Sequence, residues 1–174
     1  MILNFELSEY KIKWLKQCLV LVLGVSLLSC GFKLRGAYEL PAAMQVTYID
    51  QQQANADLLR ALKIALQASD IKITNIKTDD AAVLKLYKEI KDKRTVSVDS
   101  QGRAREYTLS YALSFSVIAR QYKFEIAPQT VRIERDFIFD PEDVLGNSRG
   151  ESQLYEEMQQ DLVRLLLLRL QSKA

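Results

Sequence analysis

The sequence predicts an α+β domain, with two helices packed on one face of a mostly antiparallel, roughly four-stranded sheet. Three patterns carry this expectation. Leu58, Ala61, Leu62, Ala65 and Leu66 recur at helical spacing and form one apolar stripe. Tyr107, Leu109, Tyr111, Leu113, Phe115 and Val117 alternate without a break against Thr108, Ser110, Ala112, Ser114 and Ser116, the period of a strand. The third pattern is a helical run over residues 151–170 in which residues 162–170 are apolar except for Arg164 and Arg169.

Residues 45–49 (Gln-Val-Thr-Tyr-Ile) open the domain as a short strand, rich in β-branched and aromatic side chains. Asn55 stands at an N-cap position ahead of the first helical stripe, which Ser69-Asp70 ends. Residues 71–76 read as a second short strand. From Val83 the period changes to two and runs towards Val98, and Asp99-Ser100-Gln101-Gly102 is a turn signal before the strongly alternating strand. These two strands form a hairpin. A second hairpin is expected from residues 122–126 and 130–139, with Pro128 in the connection. Pro141 ends that strand, and Gly146, Asn147 and Gly150 mark an irregular loop. In the final helix Glu151, Glu156, Glu157 and Asp161 precede Arg164, Arg169 and Lys173, an order that complements the helix dipole. A helix this apolar in its second half is expected to be covered on more than one face.

The chain has 174 residues, 24 basic and 22 acidic, and a net charge of +2, which gives no global pull on nucleic acid. There is no His, which removes His-based triads, general bases and metal ligands. Cys18 and Cys30 are the only cysteines, too few for a disulfide framework or a thiolate metal site. The 6 glycines include no phosphate-binding loop, and no Gly-x-Ser-x-Gly surrounds any serine. Acidic groups at Asp79-Asp80, at Asp140 with Glu142-Asp143 and at Glu156-Glu157 fit no calcium-loop pattern. No metal, no cofactor and no enzyme activity are expected.

The N-terminus reads as an address. Lys11, Lys13 and Lys16 precede an 11-residue apolar run ending at Leu28, too short to span a bilayer and suited to a secretory signal. Leu27-Leu28-Ser29-Cys30-Gly31 resembles a bacterial lipobox, so residues 1–29 are expected to be removed and Cys30 to carry acyl chains. More than one chain gives stable anchoring. Gly31 in place of Asp favours the outer membrane by resemblance to enteric sorting rules. Processing leaves 145 residues, with residues 30–44 as an extended tether and residues 45–174 as a single domain.

Two further features bear on function. The row Thr108, Ser110, Ala112, Ser114 and Ser116 carries no charge and no long side chain, which suits close approach by a partner. Residues 85–105 hold seven basic and three acidic groups, whereas residues 134–161 hold nine acidic and two basic. The hairpin near Gly102 is therefore a basic tip on a nearly neutral molecule, apt for a phosphorylated or carboxylated ligand.

Cys30-Gly31-Phe32-Lys33-Leu34-Arg35-Gly36 is similar to the start of the mature LPS-assembly lipoproteins of the LptE family. Gln101-Gly102 before Glu106-Tyr107, and Arg135-x-Phe137 before Pro141 and a terminal helix, resemble that family too. The resemblance implies a non-enzymatic lipoprotein on the periplasmic side of the cell outer membrane. It would plug and support the β-barrel LptD and help assemble lipopolysaccharide in the outer leaflet. The family's lipopolysaccharide-contacting basic positions fall near Ser100 and Asn147. Lys93, Arg94, Arg103, Arg105 and Arg149 are the basic residues expected to act there. An auxiliary lipoprotein of another envelope lipid transport complex is the alternative.

Overall fold

A computed structural model describes residues 38–51 and 54–173; the signal segment, Cys30 and the first part of the expected tether lie outside them. Strand β1 spans Val46–Gln51, helix α1 Ala56–Gln67, β2 Lys72–Thr74, β3 Ala82–Val98, β4 Ala104–Ala119, β5 Phe124–Ile138 and helix α2 Val144–Gln171. The strands form one five-stranded sheet in the order β2-β1-β3-β4-β5, one strand more than the rough count of four. β1 runs parallel to its neighbours β2 and β3, while the much longer β3, β4 and β5 pair antiparallel. The α+β architecture is the expected one.

Asn55 caps α1 as its position predicts: the Asp57 amide donates to its side-chain oxygen at 2.9 Å. Leu58, Leu62 and Leu66 on the stripe are fully buried. They join Leu109, Tyr111, Leu113, Phe115 and Val117 of β4, and Met158, Leu162, Val163, Leu166, Leu167 and Leu170 of α2, in a single core cluster. Both helices thus cover the face of β4 that carries its large residues. The Thr/Ser/Ala row lies on the opposite face, because successive strand side chains alternate.

Besides register shifts near the hairpin end, between Thr95 and Val98, two irregularities invert the alternation along the body of β3 and β5. Leu86 pairs with Phe115 and Glu89 with Leu113, so Tyr87 and Lys88 together oppose Ser114. Beyond that bulge the odd residues Glu89, Lys91 and Lys93 take the helix side, where Leu84 and Leu86 stood before it. Similarly, Val117 pairs with Ile126 and Phe115 with Gln129, leaving Ala127 and Pro128 opposite Ser116. Core positions on β5 accordingly switch from Ile126 to Val131. β5 is an edge strand, and a bulge on an edge is where proline is tolerated inside a sheet.

Four expectations are corrected in detail. Residues 38–44 are not an extended tether: Ala42–Met44 form a single helical turn, Met44 is fully buried, and Tyr38 and Leu40 pack on the core. The second hairpin turns at Arg120–Tyr122, closed by Lys123 at φ +49°, so Pro128 lies within β5 and not in the connection. Gly146, Asn147 and Gly150 belong to α2, which starts seven residues before Glu151. Asp143 caps that start by accepting from the Gly146 amide at 2.8 Å, and a Cβ on Gly146 would stand 2.0 Å from the carboxylate. Glycine at 146 makes room for the cap. Finally, α2 is buried on one broad side only, since Leu168 remains 47% exposed.

Leu162 is fully enclosed between the helices and the sheet. Leu162→Ala is expected to lower the unfolding free energy by about 2–5 kcal/mol in urea titrations, with an unchanged denaturant slope.

Candidate functional site

The β3–β4 hairpin ends in a turn organised by one carboxylate. Asp99 Oδ1 accepts from the Gln101 amide at 2.8 Å and the Arg103 amide at 2.9 Å. Its Oδ2 accepts from Arg103 Nε at 2.8 Å. Gly102 at φ +77° supplies the left-handed step that lets the chain reverse. The amide hydrogen bond from Arg103 is the foremost reason that the Asp99 carboxyl lies below the usual aspartate range; desolvation opposes it, and the Arg103 guanidinium and the Gln101 amide add to the lowering.

The five basic residues expected to bind ligand fall into two groups. Lys93 and Arg103 already have carboxylate partners, Glu151 and Asp99. Lys93 also sits 4.2 Å from the Tyr107 ring centroid and 5.8 Å from that of Phe137, on the helix side. Arg94, Arg105 and Arg149 form no ion pair among the described residues and are exposed. Arg94 stands opposite Thr108, on the face away from the helices. Arg105 is on β4, where its carbonyl accepts from the Phe139 amide, and Arg149 is in the early turns of α2, next to Gly150, which approaches Phe137. The hairpin end and the start of α2 therefore share one end of the sheet. Ser100 is exposed at the tip, and Asn147 accepts from the Asp140 amide and donates to the Asp140 carbonyl.

The small-residue row of β4 is a trough. Ser110, Ala112 and Ser116 are buried, and Thr108 and Ser114 half-buried, although none of the five joins the helix-side core. Their neighbours across the ladder are long: Arg94, Asp92 and Ile90 on β3, and Asp136, Glu134 and Arg132 on β5. Three of the four hydroxyls are satisfied laterally. Thr108 donates to Asp136 at 3.1 Å, Ser114 shares a hydrogen bond with Thr130 at 2.8 Å, and Ser116 one with Tyr87 at 2.9 Å. Hydroxyls already paired within the sheet cost little to dehydrate.

Sequence reasoning missed the bracing on the helix side. Glu89 accepts from the Asn55 amide at the start of α1 and from the Tyr111 hydroxyl, each at 2.6 Å. Lys91 lies 4.8 Å from the Tyr111 ring and 5.4 Å from the Tyr155 ring of α2. Burial, reinforced by Glu89, pushes the Tyr111 hydroxyl far above its ordinary range. The bulge hid this cluster, because unbroken alternation would place Glu89 and Lys91 outside.

A profile of the LptE lipopolysaccharide-assembly family matches residues 41–170. The chain belongs to the LptE family. It is 32% identical over 155 residues to the LPS-assembly lipoprotein LptE of Pectobacterium atrosepticum, covering 84% of this chain and 83% of that one. Identity to the same lipoprotein of Photorhabdus laumondii is 29%, over 87% and 84%. Among solved structures, rare lipoprotein B from Shewanella oneidensis superposes with a TM-score of 0.64 at 26% identity, covering 73% of this chain and 94% of that one. A lipoprotein B from Nitrosomonas europaea gives 0.61 at 26%, over 79% and 88%. The LptE match spans β1 to α2, so the hairpin, the trough and the braced helices all lie within the family's own domain.

Because the Asp99 carboxyl is held low, its grip on the hairpin is complete above the ordinary aspartate pKa of about 4 and is lost as pH falls through the lower folded value. Amide NMR shifts of Gln101 and Arg103 are expected to stay constant at neutral pH and to move together in that acid window. Asp99→Ala is expected to show the acid-form shifts at every pH.

Proposed function

We propose that this chain is a non-enzymatic, lipid-anchored subunit of the machinery that assembles lipopolysaccharide in the outer leaflet of the outer membrane. In this reading acylated Cys30 holds the domain at the periplasmic side, and the domain plugs and supports the barrel LptD. The observation that carries it is the β4 trough: a sheet face whose centre is uncharged, low in relief and internally hydrogen-bonded, opposite a face sealed by two helices. The uncharged central row lets an enclosing wall approach closely there, while Arg94 and Asp92 on β3 and Glu134 and Arg132 on β5 flank it and offer polar contacts at the margins. Membership in the LptE family supplies the setting.

The division among the cations gives the mechanism its polarity. Lys93 and Arg103 hold α2 and the turn in place, while Arg94, Arg105 and Arg149 retain free guanidinium groups. Guanidinium forks match phosphate oxygens bidentately, and lipopolysaccharide is rich in phosphate. The end of the sheet thus contacts the ligand by charge, and the trough contacts the barrel by shape. No bond is made or broken; the chain positions what passes and fills the lumen.

Detergent-solubilised envelopes are expected to yield this chain in one-to-one association with a large outer-membrane barrel. Its recovery without a barrel would contradict the reading. Arg94→Glu, Arg105→Glu and Arg149→Glu together are expected to weaken lipopolysaccharide binding by roughly tenfold or more, the scale of a lost charge-assisted hydrogen bond, with the thermal midpoint unchanged. Equal binding would remove the sheet end from ligand contact.

A further inference from the structure

A second cluster of unpaired cations lies on the outer face of the sheet. Asp50 of β1, Lys85 of β3 and Ser116 of β4 stand side by side in one cross-strand row, and Val83 pairs with Ile118 beside them. Together with Lys77, Thr78, Asp79 and Ala81 ahead of β3, and Arg120 at the β4–β5 turn, they line a hollow of about 320 Å³. Its floor is built from small or apolar groups, with Ala81 and Ser116 both buried. Lys77, Lys85 and Arg120 make no ion pair among the described residues, and Lys85 Nζ rests only against the Tyr87 ring, 5.0 Å from its centroid. None of these cations belongs to the basic set at the hairpin end, and the β3 and β4 positions lining the hollow lie at the opposite ends of those strands from the Asp99 turn.

We propose that this hollow binds a phosphate ester whose alcohol portion carries an ammonium or hydroxyl group, the chemistry of phosphoethanolamine or glycerophosphate. Three cations lining one hollow suit a group with several equivalent anionic oxygens better than a carboxylate, which has two. Arg120 supplies the planar fork and the lysines supply point charges. Asp50 and Asp79 would repel a bare anion, so they are accounted for by a ligand with donors of its own. With three cations and two carboxylates the lining keeps a net charge of +1, favourable to a phosphoryl group while leaving acceptors for the rest of the molecule. The size agrees, since the hollow exceeds a lone phosphate and falls short of a whole lipid. The hollow shares Ser116 with the end of the trough farthest from the Asp99 turn, and its ligand binding is measured without any barrel present.

Titration calorimetry on the full chain in detergent tests this with O-phosphoethanolamine, glycerol 3-phosphate and inorganic phosphate as probes, and with dihexanoyl phosphatidylethanolamine below its micellar concentration. At least one ester is expected to bind saturably and more tightly than inorganic phosphate. Lys85→Gln and Arg120→Gln are each expected to weaken it by about tenfold, as for one charge-assisted hydrogen bond. Both replace side chains without an ion-pair partner, so thermal unfolding is expected to be unchanged. Preference for the short-chain lipid over its free head group would identify a lipid source, and the reverse preference a soluble ester. The proposal is overturned if no ester binds saturably, or if Arg105→Glu at the far end reduces binding as much as the two pocket substitutions. It is also overturned if the esters fail to bind while Lys85→Gln releases an envelope protein from the chain, since the hollow would then be a protein contact.

Discussion

One extra residue in β3 sets the chemistry of both sheet faces. Where Tyr87 and Lys88 share the single partner Ser114, the strand changes which of its alternate residues face the helices. Glu89, Lys91 and Lys93 are thereby brought under α1 and α2, and each finds a partner there: the Asn55 amide and Tyr111 hydroxyl, the Tyr111 and Tyr155 rings, and Glu151 with Tyr107. Without the bulge those charges would crowd the trough, and Ile90 and Arg94 would point at the helices. The second bulge, at Ala127 and Pro128 opposite Ser116, makes the matching correction on β5. A wide sheet can then keep one aliphatic-aromatic face and one small-residue face, although neither β3 nor β5 alternates throughout.

The sequence showed clearly those elements whose period is unbroken. β4 needs no irregularity within residues 107–117, and its two faces lie as alternation says. The Asn55 cap and the stripe from Leu58 to Leu66 were legible because capping and helical spacing are local. The second hairpin was placed wrongly because Pro128 looked like a turn residue. The real reversal uses Lys123 in a left-handed conformation, with no glycine or asparagine to announce it. The start of α2 was missed for a related reason: glycines at 146 and 150 resemble a loop, whereas one accommodates the Asp143 cap and the other lets the helix approach Phe137.

At the site, sequence alone gathered the basic residues of the hairpin but could not sort them. Lys93 and Arg103 are engaged by carboxylates 58 and 4 residues away, and only the folded chain distinguishes them from Arg94, Arg105 and Arg149. The hollow at the other end of β3 and β4 was invisible for the same reason. Asp50, Lys85 and Ser116 become neighbours only through strand order, one contact parallel and the other antiparallel. Family membership explains why the architecture recurs in other lipoproteins, while the distribution of free and paired charge is read from this chain's own geometry.

In the proposed function the two sheet faces are divided: the chain's own helices cover one, and the other is offered to an enclosing barrel wall. Site-specific photo-crosslinking in intact envelopes tests this most directly, with the reactive group placed at Ser114 in the trough and, separately, at the half-buried Lys63 of α1 on the helix side of the sheet. A high-mass adduct with an outer-membrane barrel is expected from position 114, stronger than any from position 63. An adduct from position 63 with none from 114 would contradict it.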